Sequence, residues 1–179
     1  MTTPDEPKAP GLIAELIHPD GRLLPRISGV FRLDPNVYSE VAADPGAIPQ
    51  AFAVVLATAL LVGLGSGSLA GVFIGVAWTI VVWLLLAALV WGVGALVVGE
   101  RSEYAPLLRC LGFAYGWFAL FVGYELPLIG PLFGWGAVGL CLVSNVLSVR
   151  QVMKITTEQA AAVCAVALGV PLVLLWLAF

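Results

Sequence analysis

Polar and hydrophobic residues are segregated into long blocks along this chain rather than interleaved. No charged side chain occurs between Pro45 and Gly99. As one helix that stretch would measure about 80 Å at about 1.5 Å per residue, against a hydrocarbon core of about 30 Å. It has to turn back on itself, and Gly63-Leu64-Gly65-Ser66-Gly67-Ser68 supplies the small residues for a tight connection. The pattern therefore predicts membrane helices over 48–64 and 69–98. A third follows over 104–124, with Arg109 as a single charge near its start. The fourth covers 128–149, with Pro127 and Pro131 at its beginning, where helices tolerate proline. The fifth covers 159–179. It is introduced by Thr156-Thr157-Glu158-Gln159, which fits a capping box between Thr156 and Gln159.

Residues 1–45 follow a different pattern. Leu12, Ile13, Leu16 and Ile17 recur at helical spacing around Glu15 and His18, and Val30-Phe31 and Tyr38-Ser39-Glu40-Val41 continue the mixed character. Pro19, Gly21, Pro25, Pro35 and Pro45 break it into pieces. This predicts a cytoplasmic or interfacial segment whose short amphipathic helices lie in the headgroup layer, anchored by interleaved arginines. A docking segment for a soluble partner is the alternative. The first residues, MTTPDEPKAP, lack the basic-then-apolar order of a signal peptide, so the span from about residue 47 is expected to act as the insertion signal. Residues 46–179 form the expected transmembrane domain.

Charge fixes the expected direction of insertion. Lys8, Arg22, Arg26 and Arg32 precede the first span, Arg101 and Arg109 flank the second connection, and Arg150 and Lys154 lie between the fourth and fifth spans. The connections at 65–68 and 125–131 hold none. Five spans put all 8 basic residues on one side, which the positive-inside rule makes cytoplasmic. The expectation is an all-α integral membrane protein of five transmembrane helices in the cell membrane, N-terminus cytoplasmic and C-terminus outside. Composition agrees: 61% of residues are hydrophobic and 11% charged, against about 45–50% and about 25% in soluble domains.

The chemistry-bearing residues are few. Cys110, Cys141 and Cys164 are isolated in apolar sequence, and His18 is the only histidine, so no metal site, cofactor site or disulfide framework can be drawn. No nucleophile elbow, phosphate loop or facing carboxylate pair is present, which predicts a protein that is not an enzyme. No basic face could neutralise a run of phosphates, so nucleic acid is not an expected partner. Glu125 stands in a short connection, and no second acid lies in a span to relay a proton. Arg109 lies about 7.5 Å inside its span, within reach of the headgroups by snorkelling or of Glu100 and Glu103 by pairing. Candidate contacts to lipid or partner are Arg109, Arg150, Gln151, Tyr115 and Asn145. Gly71 with Gly75, Gly112 with Gly116 and Gly130 with Gly134 are spaced for close helix packing.

Several stretches resemble bacterial members of the Yip1 domain family. Leu107-Leu108-Arg109-Cys110-Leu111-Gly112-Phe113-Ala114-Tyr115 is similar to the family's LLRxxGFA segment, and Ser148-Val149-Arg150-Gln151-Val152 to its VRQ ending. Arg32-Leu33-Asp34-Pro35-Asn36-Val37-Tyr38-Ser39-Glu40-Val41, leading through Asp44-Pro45-Gly46-Ala47 into the first span, is also similar. The likeness covers roughly residues 27–175. Many relatives carry a proline where this chain has Gly116, so the family's bend is not carried over. The resemblance implies a five-span helical domain with a cytoplasmic N-terminus. Eukaryotic members are associated with vesicle traffic and Rab-type GTPases, whereas prokaryotic members have no established biochemical role. The expected function is a non-catalytic scaffold or accessory subunit that binds lipid, other integral membrane proteins or itself. A small-solute carrier or lipid-translocating protein is the alternative.

Overall fold

The computed structural model describes residues 22–64, 68–97, 99 and 103–178, and side chains within these except for Glu125 and residues 170–178. All regular structure among them is helical. The elements are α1 (Leu23–Phe31), α2 (Pro35–Ala43), α3 (Ala47–Leu64), α4 (Leu69–Val97), α5 (Tyr104–Ala114) continued by a 3-10 helix (Tyr115–Glu125), α6 (Gly130–Met153) and α7 (Thr157–Ala178). Lys8, the Leu12–Ile17 pattern, His18, Glu100, Arg101 and the 65–67 turn lie outside the described residues.

Four segments are long and apolar enough to cross a membrane: Ala47–Leu64, Leu69–Val97, Tyr104–Tyr124 and Gly130–Met153. They match the first four expected spans closely, except that the fourth starts at Gly130 and runs on to Met153. In α7 the shorter stretch Thr157–Gly169 is apolar. Its capping box forms as expected: Gln159 N–H donates to Thr156 Oγ1 (3.3 Å), and Thr156 N–H donates to Gln159 Oε1 (3.1 Å). Ser68 similarly caps α4, its Oγ accepting from the N–H of Gly71 (3.0 Å).

The long helices pack side by side: α3 on α4, α5 and the 3-10 helix, and α6 on α5, the 3-10 helix and α7. Leu107, Leu111, Phe113, Val55, Val90, Val149 and Val163 form the fully buried centre. α4 turns Phe73, Ile74, Trp78, Leu85 and Leu96 outward. In water such a face would be untenable; in lipid it costs nothing, because the tails are as apolar as the side chains.

The third segment is not one uniform helix. At Tyr115 the α-helical turn tightens to 3-10, which rises about 2.0 Å per residue instead of about 1.5 Å and eclipses side chains three apart. Tyr115, Phe118, Phe121 and Tyr124 therefore stack as a single ridge, with successive ring centroids 5.4, 5.7 and 6.2 Å apart. Each aromatic step is worth about 0.5–1.5 kcal/mol beyond burial, which offsets the poorer hydrogen bonding of a long 3-10 run.

Where the sequence pattern suggests pieces lying in the headgroup layer, α1 and α2 turn their apolar faces to the end of the bundle. Val30, Tyr38 and Val41 are fully buried there, and α2 packs on both α5 and α6. Asp34 caps α2 through a bond from Asn36 N–H (3.0 Å), with Pro35 at the first helical position. Leu33 makes the turn between the two helices in the left-handed region, φ 54°.

Candidate functional site

Most of the buried polar side chains gather around α1 and α2 and the helix segments they pack against. Arg26, 1% exposed, is the hub. Its guanidinium donates to Asp44 (2.6 Å), to Glu40 (3.0 and 3.2 Å) and to Gln50 Oε1 (2.8 Å), tying α1 to the end of α2 and the start of α3. Burial alone would pull this guanidinium down, but its hydrogen bonds to Asp44 and Glu40 outweigh that and hold it above its ordinary value. The same bond from Arg26 holds the Asp44 carboxyl below its ordinary value of 3.8, against the opposing effect of burial.

A depressed carboxylate stabilises the fold above its unfolded value and stops doing so as pH falls through its folded value. The unfolding midpoint of the purified chain is therefore expected to be insensitive to Asp44 between about pH 7 and 5, above an unfolded value of about 3.9, and to fall below about pH 4. In Asp44→Asn that acid-side fall should shrink. An equal fall in both proteins would remove Asp44 as its source.

A second seam fastens α2 to the spans. Tyr38 Oη and Ser144 Oγ share a buried hydrogen bond of 2.5 Å. Burial pushes the Tyr38 phenol up to about 12, against the pull of its bond to Ser144, so the hydroxyl keeps its proton. Cys110 Sγ donates to the Tyr38 carbonyl (3.3 Å), Ser148 Oγ to the Ser144 carbonyl (2.8 Å), and Ser39 Oγ to Gln151 Oε1 (3.2 Å). Arg109, 6% exposed, donates to the Ala42 carbonyl (2.6 Å), in the last turn of α2, where the negative end of the helix dipole favours a cation. Its Nε has no partner among the described residues.

Beside this seam lies a cavity of about 390 Å³, lined by Ser39, Ala42 and Ala43 of α2, Glu103 and Pro106 at the start of α5, and Gln151, Val152 and Lys154 at the end of α6. Two smaller crevices flank the aromatic ridge within the apolar zone. One, about 240 Å³, lies against Thr58, Trp78, Thr79 and Tyr115; the other, about 250 Å³, lies against Tyr124, Pro131 and Trp135.

The contact candidates scatter among these features. Gln151 lines the large cavity, and Arg109 bonds to one of its wall residues. Tyr115 belongs to the ridge and the first crevice. Asn145 is buried, donating to Cys141 Sγ (3.8 Å) and leaving its Oδ1 without a partner among the described residues. Arg150 is exposed in the last turn of α6. Arg109 and Asn145 line none of these three recesses, and Tyr115 lines one of them.

The glycines divide. A Cβ on Gly112 would come 2.8 Å from Ala51 Cβ and about as near Trp83, and one on Gly134 would press on the Tyr124 ring, so both are close approaches. Gly130 sits hard against the Tyr124 backbone. Gly116 and Gly75 have ordinary clearance, and Gly71 serves the α4 cap.

Sequence reading missed Arg26, Tyr38 and Lys154 as site residues. Tyr38 and Arg26 stand among prolines in a segment whose pattern does not reveal what it packs against, and Lys154 was informative there only as a topological charge. The three-residue spacing of Tyr115, Phe118, Phe121 and Tyr124 is present in the sequence, but it fits one side of an α-helix as well as a 3-10 stack. No protein family, no curated protein and no solved structure matches the chain.

Proposed function

We propose that this chain is a five-span, non-catalytic protein of the cell membrane, similar to bacterial Yip1-domain proteins, that works by binding lipid, a second copy or another integral membrane protein. The basic end would face the cytoplasm and Phe179 the outside. What carries the reading is how the polar groups are used. Inside the bundle they bond mainly to each other and to backbone, fastening α1 and α2, while the openings lie at the basic end and along the lipid-facing flank. A transporter needs polar groups along a path; a binding protein needs a rigid body with recesses on its surface.

Extraction into native-lipid particles followed by native mass spectrometry tests this. The expected result is a species retaining defined lipid, a second copy or a stoichiometric protein. A bare monomer under these conditions overturns it. Reconstituted vesicles should show lipid and solute flux equal to that of empty vesicles, and flux abolished by Asn145→Leu would favour a carrier. A tag at Phe179 reporting the same side as Met1 would overturn the five-span arrangement.

A further inference from the structure

Resting on that binding role, we infer that the crevice between α3, α4 and the aromatic ridge is a site for the ring of a neutral membrane quinone, held by the hydroxyls of Thr58 and Tyr115. The first observation is a pair of buried hydroxyls that nothing in the protein uses. Thr58 is 4% exposed and Tyr115 5% exposed, both line this crevice of about 240 Å³, and neither hydroxyl has a hydrogen-bond partner among the described residues. A threonine inside a helix can turn its hydroxyl back on the carbonyl four residues earlier. Thr79, on the α4 wall, does so with Gly75 (2.8 Å). Thr58 makes no such bond to Val54. Nor are the two oxygens sealed. Among the described residues the sealed, unpartnered side-chain atoms are Gln50 Nε2, Arg109 Nε, Trp117 Nε1 and Asn145 Oδ1. The hydroxyls of Thr58 and Tyr115 therefore keep accessible area, and the recess their side chains line is this one.

The second observation is where the crevice lies. Thr58 stands six residues before the end of α3 and Trp78 nine residues after the start of α4, roughly 9 and 14 Å into the spans at about 1.5 Å per residue. That depth is within the hydrocarbon, where no bulk water satisfies a hydroxyl. The most exposed members of the lining are Val62 (46%) and Trp78 (67%), so the mouth opens to lipid. An acyl chain would fill such a recess and leave both hydroxyls unmatched. A lipid that carries hydrogen-bond acceptors satisfies them.

The lining selects among such lipids. It carries no charged side chain, which excludes an ionic headgroup. Its volume falls below the about 300–1,000 Å³ of sites that enclose a drug-sized ligand, so it takes a ring and leaves the tail in the bilayer. Two hydroxyls from separate elements match a ring with two acceptors better than a sterol-like molecule with one hydroxyl. The walls are aromatic, with Trp78 at the mouth and the Tyr115 and Phe118 ring centroids 5.4 Å apart. The electron-rich faces of these rings attract an electron-poor one. A quinone is flat, neutral and electron-poor, and it carries two carbonyl acceptors.

The test is a titration of the full chain in detergent with 2-decyl-1,4-benzoquinone, read by quenching of tryptophan emission, with decylbenzene and cholesterol as competitors. Saturable quenching is expected, and Trp78→Phe should remove most of it. Decylbenzene, of similar shape without the carbonyls, should compete at least tenfold more weakly than the quinone binds, and so should cholesterol. Thr58→Val and Tyr115→Phe should each weaken quinone binding about fivefold to tenfold, the size of one neutral hydrogen bond. Both should leave the melting midpoint of the ligand-free chain unchanged, because neither hydroxyl has a bond to lose. Quinone affinity equal in wild type and both variants, or decylbenzene competing as tightly as the quinone, overturns the proposal. Tighter competition by cholesterol overturns it in favour of a sterol-like lipid, and a lower ligand-free midpoint in both variants would show that the hydroxyls serve the fold instead. If the quinone fails to bind while native-lipid particles still hold lipid, a second copy or a protein, this site falls and the binding role stands.

Discussion

Arg26→Ala is expected to destabilise the chain by about 3 kcal/mol and to free α1 and α2 from the bundle before the spans unfold. Removing one partner of a fully buried ion pair typically costs about 3–5 kcal/mol, and here the lower figure applies because Glu40 and Asp44 keep 46% and 25% of their side-chain exposure and can be rehydrated. Gln50 cannot: it is 1% exposed, its Oε1 depends on Arg26, and its Nε2 is already without a partner among the described residues. The readout is the thiol beneath α2. Cys110 is fully buried with its Sγ on the Tyr38 carbonyl, so maleimide labelling of Cys110, with Cys141 and Cys164 replaced by alanine, should be slow in the parent and at least tenfold faster in Arg26→Ala. Unchanged labelling and an unchanged melting midpoint would show that Arg26 is not the fastening.

Gly130→Ala is the second large effect. A methyl group there would run into the Tyr124 carbonyl, and backbone, unlike a side-chain tip, has no rotamer by which to yield. Overpacking of this kind costs about 1–3 kcal/mol, and the upper end is expected because Gly130 also donates its N–H to the Leu126 carbonyl (2.8 Å), which pins the connection between the 3-10 helix and α6. At Gly136 and Gly139, on the same helix, an added methyl would meet nothing within 4 Å. Alanine at either should be neutral or stabilising by up to about 1 kcal/mol through helix propensity. Equal melting midpoints for Gly130→Ala and Gly139→Ala would show that the close approach carries no energetic weight.

How far the sequence could be read depended on the range of the cause. A span is a local property, so neutral runs placed α3, α4 and α6 to within a few residues, and the Thr156 and Gln159 cap was visible because its two partners are three apart. The glycine spacing located Gly112, Gly130 and Gly134 correctly as close contacts but could not separate them from Gly75 and Gly116, since spacing says nothing about what faces the glycine. Arg109 stood out as an intramembrane charge, yet its acceptor is a backbone carbonyl, which has no sequence signature, so snorkelling and pairing with acids were the readings at hand. The aromatic ridge was missed for another reason. Residues three apart also line one side of an α-helix, and only the tightening at Tyr115 turns that loose stripe into a stack.

The bond between Tyr38 and Ser144 joins groups separated by 106 positions, and this sets an order of events during synthesis. At about 5–20 residues per second, Tyr38 is made roughly 5–20 s before Ser144. Through that interval the surface of α2 that will meet α6 has no seat, while the preceding hydrophobic segments are already entering the bilayer. The amino-terminal helices can thus complete their contacts only late, once α6 has been made, as a latch rather than a foundation.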